Sequence, residues 1–172
     1  MAELERATDL REYREMQAEA ERLAELLTEE IAAEQESTQV KGAVLAYPVN
    51  APITSPYGYR YHPILHYRKL HTGVDFGASE GTLVWASRGG EVIQSEYNSA
   101  YGNRVVISHG YVNGVHLATT YNHMSSRSVS VGDQVETGDV VGLVGSTGYS
   151  TGPHLHFEVL VNGEFVDPMD WP

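Results

Sequence analysis

The chain has 172 residues, 41% of them hydrophobic, and a formal net charge of −12, with 23 acidic against 11 basic side chains. That length suits one folded domain of moderate size plus an appendage. The acidic balance, with Lys41 and Lys69 the only lysines, disfavours nonspecific binding to nucleic acid or anionic lipid, since both need clustered Lys and Arg. With no cysteine, a disulfide framework, a thiolate metal site and a cysteine nucleophile are excluded, so His, Asp and Glu must carry any metal. No apolar run reaches the length of a membrane span, and the opening MAELERATDLREYR lacks the charged-then-apolar order of a secretory signal. Export would therefore require a signal or anchor upstream of Met1.

Residues 1–40 hold 12 acidic and 4 basic residues and neither Gly nor Pro, which predicts a helix. Tyr13, Met16, Ala20, Leu23 and Leu27 recur at alternating steps of three and four, the spacing of a coiled-coil seam. The stripe reads equally as a coiled coil for self-association or a partner and as one side of a solvated stalk. Residues 36–42 (ESTQVKG) read as a linker, and residues 41–54 as linker and first strand ahead of a domain at 55–172.

Beyond residue 40 lie all 17 glycines, all 7 prolines and nearly all the aromatics. Short β-branched runs at 82–87, 90–97, 104–109, 115–121, 140–144 and 155–161, separated by Gly, Asn and Ser, predict a mainly β domain. His154 and His156 are two apart on the last of these runs, so both imidazoles can face one point. In His71-Thr72-Gly73-Val74-Asp75 the glycine and β-branched residues argue against a helix, and in extended backbone His71 and Asp75 share a face. Histidines with one carboxylate suit zinc, and three protein ligands leave a fourth position for water, which is a catalytic arrangement.

Three motifs, HTGVDF (71–76), YNHM (121–124) and GSTGYSTGPHLHFEV (145–159), make the chain resemble the lysostaphin-like, or LytM-type, zinc endopeptidases that cut peptidoglycan peptides. The resemblance extends over residues 55–171, through YGNRVVISHG and Val129-Ser130-Val131-Gly132-Asp133. It implies that His71, Asp75 and His156 bind Zn2+ and that His123 and His154 are catalytic histidines beside it. It also implies a compact antiparallel β-sandwich with a narrow groove over the metal. Peptidoglycan stem peptides or cross-bridges would lie extended in that groove, outside the cytoplasm. Asn122 stands where Ala or Ser is common, Met124 where Leu is common, and the turn at 110–114 is somewhat long, which would alter one groove wall.

Many zinc peptidases move the proton with a glutamate. Glu158 is the only one in the motifs and is read as alternating away from His154 and His156, which leaves His123 and His154 for that task. His62, His66, His109 and His116 lie in loops or near turns and are read as structural. The Tyr-rich stretch 56–63, Tyr101 and Asn103 are read equally as groove lining and as packing, and Glu91, Asp167 and Asp170 as solvated or turn residues.

Two other functions compete. A regulator of the same fold, which activates other cell-wall hydrolases after losing its own ligands, is disfavoured by the complete set of five site residues, although residues 1–40 are available to cover the groove. A biotinyl or lipoyl carrier, suggested by GDQVETGDVVGLVG (132–145), fails because that segment has no lysine.

Overall fold

The glycine- and proline-free start of the chain forms one 32-residue helix, α1 (Ala2–Ala33). The structure is a computed structural model and describes residues 2–33, 37–38, 44–61 and 68–171. The expected linker at 36–42 falls outside them apart from Ser37 and Thr38, as do His62 and His66.

After α1 come β1 (Ser37–Thr38), β2 (Ile53–Ser55), β3 (Gly58–Tyr61), β4 (Arg68–His71), β5 (Val74–Phe76), β6 (Leu83–Trp85) and β7 (Gly90–Asn98). Then follow β8 (Gly102–Val112), β9 (Val115–Met124), β10 (Ser126–Arg127), β11 (Gln134–Val135), β12 (Val140–Leu143), β13 (Leu155–Val161) and β14 (Glu164–Val166). A 3-10 turn at Pro168–Asp170 closes the described chain, with the Asp167 carboxylate accepting from the Met169 N–H. Each of the six β-branched runs is a strand here. β2 overlaps the first strand expected within 41–54 and β5 the extended reading of 71–75, while the β3–β4 pair has no β-branched run to announce it.

The main sheet runs β11-β7-β8-β9-β13-β5-β2, with β14 on β13 and β1 on β8; β6, β10 and β12 form a three-stranded sheet, and β3 pairs with β4. Apart from the parallel β1–β8 contact, pairing among the described strands is antiparallel. Alternation divides the main sheet into two faces. Val105, Ile107, Leu117, Tyr121, Phe157 and Val159 point to one face and share a core with Val84 and Val141 of the small sheet, which makes the sandwich. Val106, Ala118 and Leu160 point to the other face, where they bury Leu23 and Leu27 of α1. The helix thus spends the best part of its apolar seam on the sheet.

Between β4 and β5 the chain passes hard against β13. A Cβ at Gly73 would stand 2.2 Å from the Phe157 carbonyl oxygen, so this close approach requires glycine. It brings the end of β4 to the face that α1 covers.

Candidate metal and catalytic centre

Register assembles the site. His156 on β13 stands opposite Asp75 on β5 and opposite Asn122 on β9, so their side chains project from the same sheet face. His71, the last residue of β4, reaches that face across the Gly73 crossing. His71 and Asp75 therefore converge from two paired strand systems rather than along one extended strand. His154 precedes β13 in an isolated bridge to Gly145.

His123 arrives by a different route. It follows the core-facing Tyr121 by two residues, so plain alternation would send it into the sandwich core. The β8–β9 register instead slips between Asn103↔Met124 and Val105↔Tyr121, and His123 takes a left-handed φ of 62°. This bulge turns its ring toward the site, 4.9 Å from the His154 ring and 6.0 Å from the His156 ring. The conformation is held by the His123 N–H to the Tyr101 carbonyl (2.7 Å) and by ring Nδ1 to the Thr147 carbonyl (2.7 Å). Strained backbone of this kind costs energy and concentrates at functional sites.

Asp75 Oδ1 lies 2.9 Å from His156 Nδ1, 3.3 Å from His71 Nε2 and 3.8 Å from His154 Nε2. One ligand atom from each of His71, Asp75 and His156 falls within 4.8 Å of the others, a grouping that can hold a metal ion. The far side of each ring has a partner: His71 Nδ1 is 2.7 Å from the Pro56 carbonyl, and His156 Nε2 is 3.1 Å from Glu158 Oε2. With those acceptors behind the rings, His71 Nε2 and His156 Nδ1 are the nitrogens turned toward the same anionic oxygen. Two imidazole nitrogens and one carboxylate oxygen turned toward one another are a donor set that fits a divalent metal such as zinc.

The electrostatics agree. Burial alone would lower the His156 pKa, but hydrogen bonds to Asp75 and Glu158 outweigh it and raise it to about 9. Burial would raise Asp75 and Glu158, yet their histidine partners prevail: His156 and His71 hold Asp75 far below the usual carboxylate range, and His156 and Arg104 hold Glu158 at about 2. Positive charge is favoured between these groups. His123 is the opposite case, pushed down to about 3 by burial and by His156, and is a neutral imidazole. Its Nδ1–H points at the Thr147 carbonyl, so His123 presents an unprotonated Nε2, and His154 Nδ1 lies 2.8 Å from the Gly152 carbonyl.

A cavity of about 730 Å³ lies over these groups, and Tyr13, Met16 and Ala20 of α1 form one wall of it. Glu15 accepts hydrogen bonds from the Tyr149 hydroxyl and the Ser99 hydroxyl, and the Lys69 ammonium lies 5.8 Å from the Tyr13 ring centroid. The helix thus sits across the groove.

The reading of Glu158 as facing away is corrected. Residues 154, 156 and 158 have the same parity, and Glu158, fully buried, contacts His156 directly. Tyr101 also belongs to the site, its ring stacked on His123 and His156 at 6.3 and 6.2 Å between centroids. Asn103 donates to the Met124 carbonyl at 3.0 Å and so supports the bulge. His109 bonds the Gly89 carbonyl (2.9 Å) and Thr119 Oγ1 (2.8 Å), and His116 contacts Ser108 Oγ (3.1 Å); both stand outside the groove cluster.

This fold and this His/Asp constellation are those of a metallopeptidase class. The model of Peptidase family M23 matches residues 69–168, and the chain belongs to that family. The DD-carboxypeptidase/endopeptidase Mpg of Neisseria meningitidis is 48% identical over 132 residues, which is 76% of this chain and 30% of that protein. Lysostaphin of Staphylococcus staphylolyticus is 41% identical over 107 residues, 62% of this chain and 22% of its own. The crystal structure of a zinc-containing peptidase from Vibrio cholerae superposes with a TM-score of 0.68 at 39% identity, covering 74% of this chain and 40% of that one. The chain thus spans less than a third of the length of these two curated relatives.

Proposed function

We propose that this chain is a zinc-dependent endopeptidase that hydrolyses peptide bonds of bacterial peptidoglycan outside the cytoplasm. The observation that carries the reading is the convergence of His71, Asp75 and His156 on one point, with the rings of His123 and His154 alongside. His71, Asp75 and His156 would hold the zinc, which when bound supplies a Lewis acid that acidifies water and polarises a peptide carbonyl. His123 and His154 carry the proton traffic: a ring that accepts the proton of the attacking water holds it and returns it to the leaving amine. Neutral rings are required for the first task, and burial keeps His123 neutral. The stacked Tyr101 keeps water off one side of the rings.

The substrate class rests on a further relative, the peptidoglycan DD-endopeptidase ShyC of Vibrio cholerae, 42% identical over 109 residues, and a stem peptide or cross-bridge is the corresponding target. The intact set of five side chains favours an enzyme over a regulator. The burial of Leu23 and Leu27 favours an intramolecular cover over a coiled-coil seam.

The test is incubation of the protein with purified peptidoglycan, with fragments identified by mass spectrometry before and after metal chelation. New amino termini that vanish on chelation and return with Zn2+ are expected. Cell-wall solubilisation only when a second hydrolase is added would replace this reading with the regulator.

A further inference from the structure

We infer that Glu158 is a positioning residue for His156: it fixes which nitrogen of that ring faces the metal, and Thr72, Thr120 and Arg104 hold it in place for that task. The inference rests on the reading of His71, Asp75 and His156 as the metal set.

Glu158 has no exposed surface, and a carboxylate in that setting must be fully partnered. Oε2 meets the Thr72 hydroxyl at 2.5 Å and His156 Nε2 at 3.1 Å. Oε1 meets the Thr120 hydroxyl at 2.7 Å and Arg104 Nη2 at 3.4 Å. The partners come from four places, the β4–β5 connection, β13, β9 and β8, and Thr120 stands directly opposite Glu158 across the β9–β13 pair. A carboxylate only accepts, so Glu158 requires a proton on Nε2 and leaves Nδ1, the nitrogen turned toward Asp75, as the one that can give its lone pair to a metal. The other neutral tautomer would put a proton on Nδ1 and could not ligate.

The rest of the network keeps the ring from turning. Asn122 Nδ2 donates to Thr120 Oγ1 and to the His156 carbonyl, both at 2.9 Å, tying strand and carboxylate together. Tyr101 stacks on the His156 ring and also carries the Arg104 guanidinium over its face, 4.1 Å from its centroid. Arg104, 1% exposed, supplies the compensating charge, yet its contact with Glu158 is the longest of the four. The short contacts are those to the hydroxyls and the ring. A carboxylate behind a ligating histidine orients the ring and strengthens it as a donor, and its loss typically weakens metal binding about 10–100-fold.

The experiment compares the full chain with Glu158→Gln, with the charge-balanced double variant Arg104→Met/Glu158→Gln, and with Thr72→Val, which removes the donor to Oε2 along with that hydroxyl's longer 3.5 Å contact with His156 Nε2. Zinc affinity is measured by chelator competition, Co2+ is substituted to read its visible spectrum, and the metal-free proteins are melted. We expect zinc binding about 10–100-fold weaker in both Glu158 variants, a smaller loss in Thr72→Val, and a shifted Co2+ spectrum. The metal-free double variant should melt close to the parent, because it leaves no unpaired buried charge. A folded Glu158 variant with parental zinc affinity and Co2+ spectrum would reduce Glu158 to a counter-charge for Arg104 and overturn the inference. If Glu158→Gln does not fold, the Thr72→Val result decides, and unchanged affinity there overturns it equally. A parent protein that binds neither Zn2+ nor Co2+ would refute the metal reading itself and the inference with it.

Discussion

Asp75 and His156 stand directly opposite each other on β5 and β13, with Oδ1 2.9 Å from Nδ1. Cross-strand neighbours in the middle of a sheet cannot drift apart, so two of the three candidate ligands are set by the ladder itself. The third, His71, ends a strand pair that, among the described residues, meets that point through side-chain contact and the Gly73 crossing.

Metal removal should therefore act unevenly. A bound ion adds stability in proportion to the logarithm of its concentration over Kd, and it ties β3–β4 to the main sheet. Chelation is expected to lower the melting temperature and to increase amide hydrogen exchange in β4 and in residues 72–73 well before β8 or β9. Uniform loosening of all strands on chelation would contradict this arrangement.

His123 owes its place to a left-handed residue at a bulge. Asn tolerates that conformation, so His123→Asn should keep the fold and the metal while losing about 10²–10⁴ in kcat, the usual scale of general acid–base catalysis. Steady-state kinetics with metal analysis would check this, and retention of more than about a tenth of kcat would remove His123 from the chemistry.

Because α1 walls the groove, a bulky substrate should meet it before the site. Glu15→Ala, which breaks the contacts to Tyr149 and Ser99, is expected to raise cleavage of polymeric peptidoglycan more than cleavage of a short peptide. Deleting the helix outright would uncover Val106, Ala118 and Leu160, so the point substitution is the cleaner probe. Equal effects on both substrates would show that α1 does not obstruct access.

Away from the groove, His109 links the fold to pH. Burial lowers its pKa to about 4 despite the hydrogen bond to Gly89, and Arg88 and His116 oppose a charge there as well. The unfolded chain takes up this proton near pH 6.5 and the folded chain only near 4, so stability falls as pH drops through that window. Protonation would also break the run from His109 through Thr119 and the Tyr121 hydroxyl to the Ser87 N–H. Thermal melts between pH 7 and 4 should show a shallower decline for His109→Gln than for the parent. Parallel curves would exclude His109 as a source of acid lability.

Much of this site could be read without coordinates, and the exceptions have physical causes. Parity alone puts His154 and His156 on one face, and the same rule, applied to residue 158, would have found Glu158. No periodicity locates His123, because a bulge and a left-handed residue undo the alternation that would bury it beside Tyr121. The helix was legible from composition, but its seam spacing does not say whether Leu23 and Leu27 meet another helix or a sheet. That depends on Val106, Ala118 and Leu160, residues far away in sequence that share the face opposite the sandwich core. The β3–β4 pair was hidden because each strand is only four residues long and neither holds a β-branched residue.

The division between residues that hold metal and residues that move protons is the centre of this account, and elemental analysis of purified variants tests it most directly. Asp75→Asn and His156→Ala are expected to lose both zinc and peptidoglycan cleavage, while His154→Ala keeps one zinc per chain and cleaves nothing. Full zinc occupancy in both ligand variants would contradict the account.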